Sequence, residues 1–148
     1  MPGLDDIDRK LLALLLEDAR LPVKEIAREV GLSSPSAGER LRRLQERGIL
    51  RRFTVEIDPA SLGFPMQALV RVRPLPGKVL LVQKLLEGIP EVAECDKVTG
   101  DDCFVARVFV RSIEHLDGVL DRIIDHAETS SSVVKSQPVR RRPPPFRS

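Results

Sequence analysis

The chain has neither tryptophan nor tyrosine, and only five phenylalanines and two cysteines in 148 residues. Without indole and phenol rings, the usual stacking platforms for single-stranded nucleic acid are missing. Cys95 and Cys103 are too few for a disulfide scaffold and are expected to be reduced core residues. No apolar run approaches the roughly 20 residues that span a bilayer. The acidic opening Met1-Pro2-Gly3-Leu4-Asp5-Asp6 lacks the apolar core of a signal peptide. A cytoplasmic location with no membrane partner is therefore expected. His115 and His126 have no ligand-like spacing with the cysteines, so no metal site is expected. There is no G-x-S-x-G, Walker loop or G-x-G-x-x-G. No catalytic residue and no cofactor are assigned.

What is present is unevenly distributed charge. The net charge is only +2, which says little about partners. Between Ser33 and Val55, however, six arginines face only Glu39 and Glu46. From Lys135 onward there are five basic residues and no acid, while Ser61 to Val134 carries eight basic and eleven acidic residues. Two basic regions flanking an acidic body suit a polyanionic partner, although solvated charged faces give the same pattern.

The first 60 residues read as three helices. Asp5 or Asp6 can cap a helix with Ile7, Leu11, Leu12, Leu14 and Leu15 inward, ending near Ala19. Pro22 suits the first turn of a second helix, Val23 to Val30. Gly31 breaks it, and Ser33 can cap a third, reaching about Arg47 with Ala37, Leu41 and Leu44 inward. Two helices joined by a short Gly-containing turn make a helix-turn-helix. Arg52 to Asp58 alternates with period two and predicts a half-buried strand. Asp58 to Gly63 reads as a linker.

The second half predicts strand Met66–Arg73, helix Lys78–Glu87, strand Val92–Val98, a hairpin turn at Gly100-Asp101 and strand Phe104–Arg111. A helix capped by Ser112 follows, with Leu116, Val119, Leu120, Ile123 and Ile124 inward, then a short strand Ser131–Lys135. The order β-α-β-β-α-β is that of a ferredoxin-like fold. The expected class is α+β, with a helix-turn-helix (winged-helix-like) domain at 1–60, a ferredoxin-like domain at 61–138 and a loose basic, Pro-rich tail at 139–148.

The third helix is the main functional candidate. A helix fits the major groove of double-stranded DNA, and its N-terminal half meets the base edges. Its solvent face should show Pro35, Ser36, Glu39, Arg40 and Arg43, with Ser34 at its start. Arg40 or Arg43 can pair bidentately with guanine, and Ser34 and Ser36 can reach a phosphate or base. Gly38 inside that helix costs about 1 kcal/mol against alanine. The hairpin Thr99-Gly100-Asp101-Asp102 is the second candidate. Gly100 lets the backbone approach a ligand, and either aspartate can face an ammonium group, although glycine and aspartate are also ordinary turn residues. The tail can add affinity by neutralising phosphates or serve as a solubilising end.

At these residues the chain resembles the Lrp/AsnC family, the feast/famine regulatory proteins. Leu4 to Leu12, Asp18-Ala19-Arg20, Glu25-Ile26-Ala27 with Val30-Gly31-Leu32-Ser33, Arg40 to Leu44 with Gly48-Ile49-Leu50, and Ile57-Asp58-Pro59 with Leu62-Gly63 follow the family's order and spacing. The resemblance covers about Leu4 to Lys135. It implies a DNA-binding transcriptional regulator whose C-terminal domains pair through their sheets into homodimers, commonly assembling into octamers of four dimers. It also implies an amino-acid-type effector held between dimers near Thr99, Gly100, Asp101 and Asp102, with Thr129, Ser131 and Ser132 close by. Siroheme decarboxylases resemble the same family in both domains. A tetrapyrrole enzyme of that kind would need groups that two histidines and no tyrosine or tryptophan do not supply. A stand-alone amino-acid-sensing module is the other alternative, and the basic third helix argues against it.

Overall fold

The computed structural model describes residues 3–146. The chain forms two compact units, Met1–Val55 with Arg141–Ser148, and Glu56–Arg140.

In the first unit, α1 (Asp6–Glu17) starts in a reciprocal cap. The Asp8 N–H donates to the Asp5 carboxylate at 2.7 Å, and the Asp5 N–H donates back to Asp8 at 3.4 Å. These bonds satisfy backbone donors that the first helical turn leaves free. α2 (Val23–Val30) follows Pro22 and ends at Gly31, whose φ of 72° is the left-handed turn that glycine allows. α3 (Ser34–Glu46) is capped by Ser33, which accepts from the Ser36 N–H, and has Pro35 in its first turn. Leu11, Leu15, Ile26 and Leu44 form the centre of this unit's core.

The strand expected at Arg52–Asp58 does not form. Those residues are in no strand, and Phe53, Val55 and Ile57 are 47%, 77% and 58% exposed. The alternation is real, but among the described residues no segment pairs with it.

In the second unit, Asp58 accepts from the backbone and hydroxyl of Ser61 and shapes a single 3-10 turn, Ala60–Leu62. Then come β1 (Met66–Pro74), α4 (Val79–Glu87), β2 (Val92–Lys97), β3 (Phe104–Val110), α5 (Ile113–Leu120) and β4 (Ala127–Val133). The sheet is antiparallel with order β2-β3-β1-β4. This is the ferredoxin-like arrangement. Val82 and Leu86 of α4 and Leu116 and Val119 of α5 pack with Ala68, Val70, Val72, Phe104, Ala106, Val108 and Val110. Those strand residues alternate in sequence, so both helices cover one face of the sheet.

Two expectations differ here. α5 ends at Leu120, and although Ile123 is buried in the turns that follow, Ile124 is 61% exposed. Helical periodicity no longer applies beyond the cap, which turns Ile124 outward. The last strand begins at Ala127, not Ser131, and ends at Val133. It is an edge strand in which only Ala127 is buried, so its residues carry little alternation to read.

Candidate functional site

α3 exposes Ser34, Pro35 and Ser36 in its first turn and Arg43 about two turns later. The Ser33 hydroxyl donates to that of Ser36 at 2.9 Å, holding the start of the helix in order. Arg42 is clamped on the helix surface by Glu39, at 2.7 Å, and by Glu46. The Arg42 hydrogen bond holds the Glu39 carboxyl below its ordinary pKa. Arg43 sits 3.5 Å from Glu39, with most of its side chain in solvent.

Arg40 differs from its expected place on the solvent face. Its guanidinium reaches back to α1, 2.6 Å from Asp5 and 3.0 Å from Asp8, and its side chain is only 28% exposed. Asp8 is buried, the one charged residue among the buried side chains described. The Asp5 carboxyl is held below its usual range, first by the Asp8 N–H and then by Arg40. Arg40 thus ties the middle of α3 to the cap of α1. The D-x-x-D spacing of Asp5 and Asp8 announces a helix cap in the sequence, but its third partner lies in another helix and has no local signature.

In the second unit, the β2–β3 hairpin closes where the Val98 N–H donates to the Cys103 carbonyl at 2.8 Å. Thr99, Gly100 and Asp101 are exposed, and Gly100 takes a φ of 104° with open space where a Cβ would stand. Asp102 is 3.5 Å from Arg73 at the end of β1, a partner not evident from the sequence. Val72 pairs with Phe104 on one side and Thr129 on the other, so the hairpin and Thr129 lie at the same end of the sheet. Ser131 pairs with Val70 and Ser132 with Leu69. Thr129 and Ser131 therefore point to the helix-covered side and Ser132 to the open side. A single subunit does not gather these residues into one pocket. A cleft of about 350 Å³ lies instead beside α4 and β2, lined by Gln83, Glu87, Cys95, Lys97 and Phe104 among others, and includes none of the candidate effector residues.

His115 acts within the fold. It accepts from the Arg111 N–H at Nδ1, 3.1 Å, and its Nε2 lies 3.1 Å from Glu91. Cys95 sits opposite Ala106, the pairing that a turn centred on Gly100-Asp101 dictates. Contrary to expectation Cys95 is exposed, because β2 is an edge strand, whereas Cys103 packs against the core.

Residues 4–45 match the AsnC-type helix-turn-helix domain, and residues 67–144 match the Lrp/AsnC ligand binding domain. The chain belongs to the Lrp/AsnC family of transcriptional regulators. This Lrp/AsnC regulator is 37% identical to the transcriptional regulator FL11 of Pyrococcus horikoshii over 81% of its own length and 80% of FL11. It is 37% identical to the regulator LrpA of Mycobacterium tuberculosis over 82% of itself and 81% of LrpA. Its structure superposes on the M. tuberculosis feast or famine regulatory protein complexed with L-methionine with a TM-score of 0.87. That match has 33% identity and covers 95% of this chain and 98% of that one. As an Lrp/AsnC protein it is a DNA-binding regulator, and α3 is the second helix of its helix-turn-helix.

Proposed function

We propose that this regulator reads its operator with the solvent-exposed face of α3, from its first turn to Arg43. Ser34 and Ser36 contact the backbone or base edges, Arg43 is the base-reading arginine, and Arg40 acts from behind as the brace that sets the helix's position. The observation that carries this assignment is the contrast between the two arginines. Arg40 is committed to Asp5 and Asp8, while Arg43 extends into solvent with a single 3.5 Å neighbour. We assign the protein no catalytic step and place its action in the cytoplasm.

The working form is a homodimer. Leu69 and Phe109 lie on the sheet face opposite the helices of their unit, and Phe53, Val55 and Ile57 offer an exposed apolar edge. A small amino acid, by likeness to the relative solved with L-methionine, is the proposed effector. It would bind near Thr99 to Asp102, with Thr129, Ser131 and Ser132 contributing across a subunit boundary, since one chain leaves them spread over two faces.

The test is binding to the operator and to operators altered one base pair at a time. Arg43→Ala is expected to weaken operator binding by about 1–3 kcal/mol and to relax preference at a single position. Unchanged affinity and unchanged base preference would remove Arg43 from the reading role.

A further inference from the structure

We propose that the C-terminal tail is a second, sequence-independent DNA contact of the helix-turn-helix unit, in which Arg141 and Arg142 engage phosphates flanking the site read by α3. This rests on the DNA-binding reading above and adds an element outside the helix-turn-helix. The tail is expected from its composition to be loose, yet Arg141–Ser148 group with Met1–Val55. The anchor is specific. Arg9 of α1 donates to the Phe146 carbonyl, and Phe146 is half-buried where the five residues before it are exposed.

Arg9 directly follows Asp8, which holds Arg40 of α3. The tail is thus fixed beside the brace that positions the recognition helix. Between anchor and arginines stand Pro143, Pro144 and Pro145, which favour the extended polyproline conformation. At about 3.1 Å per residue, Arg142 lies no more than about 12 Å from the anchor. The linker is stiff, so the charges are held near the unit and do not sweep a large volume. No acidic residue follows Glu128, so every charged side chain of the tail is basic. A short, anchored, purely basic segment is matched to an evenly spaced row of phosphates. It has no groups suited to reading base edges beyond the arginines themselves.

The experiment compares full-length protein, Arg141→Ala/Arg142→Ala and Arg43→Ala. Binding is titrated over a range of salt with two duplexes of equal length, one selected by the protein from random sequence and one unrelated. The tail double variant is expected to lose affinity by the same factor on both duplexes. Its log affinity against log salt should flatten by about 0.9 for each phosphate no longer neutralised. Arg43→Ala should lose affinity mainly on the selected duplex. An unchanged salt slope and affinity in the tail variant would overturn the proposal. If the tail variant behaves as expected but Arg43→Ala loses equally on both duplexes, the tail's role stands and the reading of α3 falls.

Discussion

At the scale of single residues, two arginines three positions apart on one helix have different surroundings. Removing Arg40 leaves the buried Asp8 carboxylate without that partner, and an orphaned buried acceptor costs about 1–3 kcal/mol. Arg40→Ala is therefore expected to lower the denaturant midpoint, whereas Arg43→Ala leaves it nearly unchanged. The pH dependence follows from Asp5. Its folded pKa is depressed, so its contribution is present above the unfolded value of about 3.9 and is lost as pH falls through the folded value. Denaturant melts between about pH 2 and 6 should show a shallower acid limb for Arg40→Ala than for wild type. Gly38 offers the opposite change. A Cβ there would meet only Val23, at 3.9 Å, an ordinary contact. Gly38→Ala should raise stability by about 0.5–1 kcal/mol, measured in the same melts. The thiols give a third residue-level expectation. Cys103 sits three residues along β3's approach from the partner of Cys95, about 10 Å away, beyond the reach of a disulfide. Mass spectrometry of protein purified without reductant should find both free.

At the scale of elements, the segment Arg52–Asp58 is the informative one. Its apolar residues alternate as a strand's do, yet they remain exposed in the single chain. Pairing with the same segment of a second subunit would use that pattern. Val55→Lys should then shift the dimer toward monomer in sedimentation at micromolar concentration. No shift would remove this edge from the interface. Caps, breakers and hairpin register are legible in the sequence because each depends on neighbours in the chain. Asp5 and Ser33 open their helices, Gly31 turns the corner, and a turn centred on Gly100-Asp101 places Cys95 against Ala106. The start of β4 is not legible, because its polar residues need no periodicity at a sheet edge and the valines at its end point downstream. The place of Arg40 is not legible either, because the exposed face of a helix is known only once its neighbours are in place. The candidate effector residues are legible as a hairpin and a strand, but which of Ser131 and Ser132 faces the helices only the register reveals.

At the scale of the whole molecule, effector binding is expected to be tied to assembly, since a ligand shifts an equilibrium only through different affinities for its states. L-methionine, and then the other amino acids, should be screened by thermal shift, and any hit repeated on Gly100→Ala. A side chain at φ 104° is strained even in open space, so the variant should bind more weakly. Undiminished binding would remove the hairpin from the site. The sheet's topology also sets an order of events in time. Lys97 meets Phe104 across a tight hairpin, but Ala68 meets Val133 only after the whole second unit has been gathered between them. Loop-closure entropy makes the second pairing the slower to nucleate, and β4, bonded on one side only, is the last strand to gain by docking. A weakening change in β4, such as Ala127→Gly, should therefore steepen the loss of folded molecules by faster unfolding. The refolding arm of a chevron plot should stay where it is. The half-life of this regulator would then be set at an edge strand remote in sequence from its helix-turn-helix.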